Sequence, residues 1–211
     1  QTVEGGMRGL RAVLDGAASE QAGFRTVRRV SADRLVVFSD HHILPDANRQ
    51  SGVWRANRDG YTRILTHYGE HGWTVVEDGD IEDLVILEPS ITEAMYAEVL
   101  GGLAGRGVRP RAARGLRRGA AGSPLETFQA LEAARLPRRR SQWEAIRSAP
   151  GNQAYYDVLR QLGQSDQLVR VAGNHDYNLQ AFAPDEAHLV PVDVAVVARA
   201  RPMAILHGHQ F

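Results

Sequence analysis

The chain has 211 residues, zero formal charge and 43% apolar residues, enough for one sizeable core in an ordinary globular protein. Balanced charge supplies no bulk field for nucleic acid or an anionic membrane, and the absence of cysteine excludes disulfides and thiolate metal sites. No apolar run approaches the ~20 residues of a membrane span, and the opening QTVEGGMRGLRAVLDG has no hydrophobic signal core, so the expected setting is the cytoplasm.

Residues 1 to 32 are mixed in character and read as an N-terminal extension with a short helix around Met7 to Leu14. RLVVFSD predicts a buried strand, four apolar residues ending at Phe38 and running into polar ones. Residues 55 to 68, RANRDGYTRILTHY, have helical spacing despite Gly60. Trp73 to Val76 predict a second strand, and EDGDIED follows it. LVILEP is a further apolar run stopped by Pro89, and residues 92 to 100 have helical spacing. The stretch from 101 to 124, GGLAGRGVRPRAARGLRRGAAGSP, is rich in Gly, Ala and Arg without a period and reads as a linker or poorly ordered insertion. Helical spacing returns over 125 to 147, interrupted by Pro137 and the run Arg138 to Arg140, and again from Asn152 to Leu162. LVRVAG predicts a strand leading into GNHD, and VDVAVVA and MAIL predict the last two strands. Strands alternating with helices argue for the α/β class.

The conspicuous polar residues share one position. Asp40 and His42 follow the first strand, and Asp80 and Asp83 the second. Asn174, His175 and Asp176 follow LVRVA, while His207 and His209 follow MAIL. In layered α/β folds, sites gather at the carboxyl ends of strands. Carboxylates, imidazoles and an Asn amide, without thiolate, suit Mn, Fe, Zn, Co or Ni. Two such ions ~3.5–4 Å apart can hold a phosphate, activate a water and stabilise a leaving oxygen.

DHH at 40 to 42, GDIED at 79 to 83, GNHD at 173 to 176 and HGH at 207 to 209 resemble the ordered motifs of the calcineurin-like metallophosphoesterase family, in its bacterial type. The resemblance covers roughly residues 33 to 83 and 152 to 211. It implies an α/β fold, a layered α-β-β-α sandwich, and hydrolysis of a phosphomonoester or phosphodiester by water activated between two divalent transition metal ions, Mn first among them. Asp40 and His42 would then bind the first metal, Asp80 would bridge both, and Asn174 and His207 would bind the second. His175 would stabilise or protonate the leaving oxygen, with Asp176 orienting its ring; a carboxylate fixes an imidazole's tautomer and favours its charged form. Asp83 would support the loop. His209 would be a neighbour facing substrate or metal.

Two departures shape further expectations. The family's last motif, GH-x-H, is not met by Gly208-His209-Gln210-Phe211, so the domain is expected to be cut before its site is complete. The interval from Asp80 to Asn174 is long, and residues 88 to 150 read as an inserted helical cap. Two other readings compete: a non-catalytic remnant of the fold, and a nucleic-acid-binding protein using the six arginines from Arg106 to Arg118. No aromatic residue interleaves those arginines to stack on bases. His67 and His71 have metal-binding spacing but sit where Gly69 ends a helix, and read as a solvated helix end.

Overall fold

The computed structural model describes residues 3–16, 24–45, 52–85, 124–182, 186–198 and 202–207. The chain divides into two units, Gln1–Leu84 with Gln142–Phe211, and Val85–Ser141. In the first unit the elements run α1 (Val3–Leu14), β1 (Val27–Ser31), β2 (Leu35–Phe38), α2 (Gly52–Glu70), β3 (Thr74–Asp78), then the end of α3 (Pro124–Ser148), α4 (Gln153–Gln164), β4 (Leu168–Val171), α5 (Leu179–Phe182), β5 (Val194–Ala198) and β6 (Met203–Ile205). The fold is mixed α/β with two small sheets.

One sheet has the order β2-β3-β4, all parallel, with Val36 opposite Val75 and Val75 opposite Leu168. Parallel neighbours need crossovers, and α2 supplies the one from β2 to β3. The carboxyl ends of all three strands therefore lie on one edge. The other sheet has the order β1-β5-β6, with β1 and β5 parallel and β6 antiparallel to β5. An apolar cluster joins the two sheets: Val76, Val169 and Val171 from the first meet Ala195, Val197 and Ile205 from the second. The alternation of side chains along a strand turns Val194 and Val196 the other way, where they pack with Val13 of α1 and Phe24. Behind β3 and β4 lie the buried faces of α2 (Trp54, Tyr61, Leu65) and α4 (Tyr155, Tyr156, Leu159, Leu162), each at helical spacing.

The boundary expected at residue 33 moves. Val27–Ser31, assigned to an extension, pairs along its length with β5, and the Asp193 carboxylate accepts the backbone N–H groups of Arg25 and Thr26 at 2.6 and 3.0 Å. Two arginines within VRRVS hide the apolar pattern of a strand whose place is set by its partner.

The inserted segment is also narrower than 88 to 150. Gln142 onward belongs to the first unit: Gln142 donates to the Asp83 carbonyl at 2.6 Å, and buried Asn152 accepts from Trp54 at 2.9 Å while donating to the Ile146 carbonyl at 2.8 Å. In the second unit, α3 runs through Pro137, which cannot donate its own helical bond, and Ser141 donates to the Pro137 carbonyl at 3.2 Å. The apolar run after Val85, the helix expected over 92 to 100 and the Arg-rich stretch from 101 to 123 lie outside the described residues. No helix among the described residues is long and apolar enough to cross a membrane.

Candidate metal centre

Beyond β2 and β3 the two chains continue side by side. Asp40 donates its backbone N–H to the Gly79 carbonyl, His42 to Asp80 and Ile43 to Ile81, at 3.2, 3.0 and 2.7 Å, and Asp83 donates back to Ile43 at 2.9 Å. Within this ladder Asp40, His42 and Asp80 hold φ of 58°, 47° and 55°. Left-handed backbone at a non-glycine residue costs about 1–3 kcal/mol and persists only where the surroundings enforce it. Here it turns three polar side chains to the same edge.

Two groups form there. One is His42, Asp83 and His175; the other is Asp40, Asp80 and His207. In each, the potential ligand atoms lie within 4.8 Å of one another. Asp83 is fully buried and spans two rings, its Oδ2 3.1 Å from His42 Nδ1 and its Oδ1 2.9 Å from His175 Nδ1. The rings meet edge to face, centroids 4.8 Å apart. A buried carboxylate between two imidazoles acts as acceptor, which assigns a proton to each Nδ1. His207 Nδ1 lies 2.9 Å from the Asp78 carbonyl; a carbonyl only accepts, so this Nδ1 also carries its proton. In this arrangement each ring turns its Nε2 away from the acceptor at Nδ1. His42 Nε2 lies 3.9 Å from Asp40 Oδ1, and His207 Nε2 lies 3.5 Å from Asp80 Oδ2. An outer acceptor on one ring nitrogen and an open lone pair on the other is the usual state of a metal-ligating histidine.

The backbone makes room for this arrangement. A Cβ on Gly173 would sit 2.1 Å from Asp80 Oδ1, and one on Gly79 would sit 2.5 Å from His207 Nδ1. Gly79 also holds φ of 75°, a region glycine enters freely. The donor types and their proximity could hold a metal ion.

The roles of two carboxylates differ from the sequence reading. Asp176 does not orient the His175 ring: its Oδ2 accepts from the Ile81 N–H at 2.8 Å and its Oδ1 from the Gly173 N–H at 2.7 Å, which spends both oxygens on the loops. Burial pushes its carboxyl up to about 7, with the Glu82 charge adding to the rise. Asp83, expected only to support the loop, is the residue that holds His175. That hydrogen bond raises the His175 pKa above the usual histidine value, against burial. For His207, burial opposes the charged form, but the bond to the Asp78 carbonyl and the charges of Asp80 and Asp40 outweigh it and raise its pKa.

Asn174 is exposed at the start of the turn after β4. The next backbone N–H, of His175, donates to Asp80 Oδ1 at 2.9 Å. His209 lies outside the described residues. The sequence reading did not single out Asp78, whose carbonyl fixes His207 and whose carboxyl is raised by burial. Nor did it single out Glu77, Glu82 and Arg170, which form a buried ionic network behind the loops. The available signal was a charge inside each of the apolar strands TVVED and LVRV.

No family model, curated protein or solved structure matches this chain.

Proposed function

We propose that this chain is a metal-dependent phosphoesterase. The observation that carries the reading is the state of the histidines: His42, His175 and His207, from three separate strand ends, each set Nδ1 against an acceptor, while His42 Nε2 lies 3.9 Å from Asp40 and His207 Nε2 lies 3.5 Å from Asp80. The order of layers supports the finer fold reading, an α-β-β-α sandwich: α1, two sheets sharing an apolar cluster, then α2 and α4.

Asp40, His42, Asp80 and His207 would hold the divalent cations, and the Asn174 amide would add a neutral oxygen. Bound there, the ions supply the positive charge that holds a phosphate ester and lowers the pKa of water. His175 serves as the acid. Asp83 anchors its Nδ1, turns Nε2 outward and favours the protonated ring, so a proton is available for the departing alcohol oxygen near neutral pH. Asp176 ties the turn carrying His175 to the loop carrying Asp80.

The test is Mn2+ titration by calorimetry together with hydrolysis of an aryl phosphate monoester and diester. The expected result is tight Mn2+ binding and turnover by the parent chain, with both lost in Asp80→Ala. His175→Ala should retain Mn2+ and lose rate. Full turnover by Asp80→Ala would overturn the assignment.

A further inference from the structure

Glu77, Glu82 and Arg170 are 0%, 0% and 2% exposed, and their contacts form a closed set. Arg170 Nε donates to Glu77 Oε2 at 2.8 Å, one terminal nitrogen to Glu82 Oε2 at 2.5 Å, and the other to the Leu189 carbonyl at 3.0 Å. The remaining carboxylate oxygens are also occupied. Tyr155 donates to Glu77 Oε1 at 2.6 Å, Tyr61 reaches the same atom at 3.4 Å, and Tyr156 donates to Glu82 Oε1 at 3.0 Å. One guanidinium faces two carboxyl groups in the interior, where burial raises the Glu77 pKa and works against its charged form. Such a cluster is a poor source of stability, because desolvation of its charges offsets their attraction. Its position gives it another use.

Glu82 and Asp83 are consecutive residues in extended chain, so their side chains point to opposite sides. Glu82 faces inward to Arg170 and Tyr156; Asp83 faces the site and spans His42 and His175. The Glu82 backbone is bridged to Ile43, directly after His42. Tyr155 and Tyr156, at the start of α4, bond to Glu77 before the Asp80 turn and Glu82 after it. The segment that presents Asp80 and Asp83 is therefore held at both ends from behind.

We propose that Glu82, Arg170 and Tyr156 are positioning residues that set the Asp83 carboxylate between His42 and His175, and through the His42 ring set metal affinity in the phosphoesterase reading on which this rests. The cluster grips Glu82, Glu82 fixes its neighbour Asp83, and Asp83 fixes two imidazole tautomers. Outer partners of metal-ligating histidines are commonly worth about 10–100-fold in metal affinity.

The test uses the full chain with Glu82→Gln, which keeps size and removes the charge, and Tyr156→Phe, which removes one hydrogen bond. Thermal melts establish folding. Long-range 1H–15N spectra of the metal-free protein then report whether His42 and His175 keep a hydrogen-bonded Nδ1 proton, with His67 and His71 on α2 and its end as internal references. Mn2+ titration reports affinity. In folded Glu82→Gln, the Nδ1 signature of the His42 ring should be lost and Mn2+ affinity should fall about 10-fold or more; Tyr156→Phe should change both in the same direction and less. Unchanged rings and unchanged affinity in folded variants would overturn the proposal. So would weakened Mn2+ binding with both rings unchanged, since the cluster would then act through charge alone. Should Glu82→Gln fail to fold, Tyr156→Phe decides by the same readouts. A parent chain that binds no Mn2+ would sink the phosphoesterase reading, while the ring spectra would still decide the positioning role.

Discussion

The two sheets of the first unit are built from similar strands and held in different ways. In β1-β5-β6, the central strand is apolar on both faces: Ala195 and Val197 pack toward the other sheet, Val194 and Val196 toward α1 and Phe24. In β2-β3-β4, the face shared with the other sheet is apolar, while the opposite face mixes buried Val75 and Leu168 with charged residues. The opposite face of β3 and β4 carries Glu77 and Arg170, and the chain just beyond holds three left-handed polar residues. The first sheet is supported by burial of apolar surface, at about 25 cal/mol per Å2. The second accepts buried charge and backbone strain, both costly, and presents a cluster of ligands in return. Departure from the simplest way to stabilise a strand thus marks the edge where the candidate site lies.

Substitutions can break this contrast, beginning with the largest effect. Asp80→Ala should abolish Mn2+ binding and aryl phosphate hydrolysis together, a loss beyond the roughly 100-fold attached to outer partners, with a thermal midpoint near that of the parent in metal-free buffer. Gly173→Ala drives a Cβ to 2.1 Å from Asp80 Oδ1. It should weaken Mn2+ binding severely and destabilise the fold by about 1–3 kcal/mol, as overpacking does; calorimetry and chemical denaturation report the two effects separately. In the other sheet, Val196→Ala leaves a small cavity beside Val13 and Phe24. It should lower stability by roughly 1–3 kcal/mol and leave Mn2+ affinity unchanged; a parallel loss of affinity would show that the sheets are not independent supports.

The smallest expected effect is a pH dependence. The hydrogen bond to Asp83 raises the His175 pKa above 6.5. The folded state therefore binds this proton more tightly than the unfolded chain does. The resulting stabilisation is fully present below the unfolded value and is lost as pH rises through the folded one. Denaturation of the metal-free chain should show this contribution constant below the unfolded value and falling as pH rises above it, and His175→Gln should flatten this part of the profile. Mn2+ affinity should change in the opposite sense, rising with pH as the rings release protons that compete with the metal.

Much of this was legible in the chain. The runs LVVF, LVRV and VAVVA announced β2, β4 and β5 as largely apolar segments, but β2, expected to be buried, is only half-buried, with Val37 exposed. The motifs DHH, GDIED and GNHD announced the loops, because Gly, Asp and Asn favour turns and interrupt the apolar runs before them. β1 was not legible: Arg28 and Arg29 interrupt it, and only its register with β5 makes it a strand. Nor was the division of labour between Asp83 and Asp176. Both are acidic residues near His175, and nothing in their spacing says which reaches the ring.

The sequence by itself determined which residue types stand at which strand ends, and hence the donor set: carboxylates and imidazoles, without thiolate. That follows from local chemistry, because strand length, turn residues and ligand type are written within a few positions of one another. Only the tertiary structure decided which donors meet. Asp83 and His175 are 92 residues apart and Arg170 and Glu82 are 88 apart. Such pairs are set by parallel register, left-handed turns and two glycines that clear space beside Asp80 and His207. A hydrogen bond depends on tenths of an ångström and on direction, and those quantities exist only once the strands are packed.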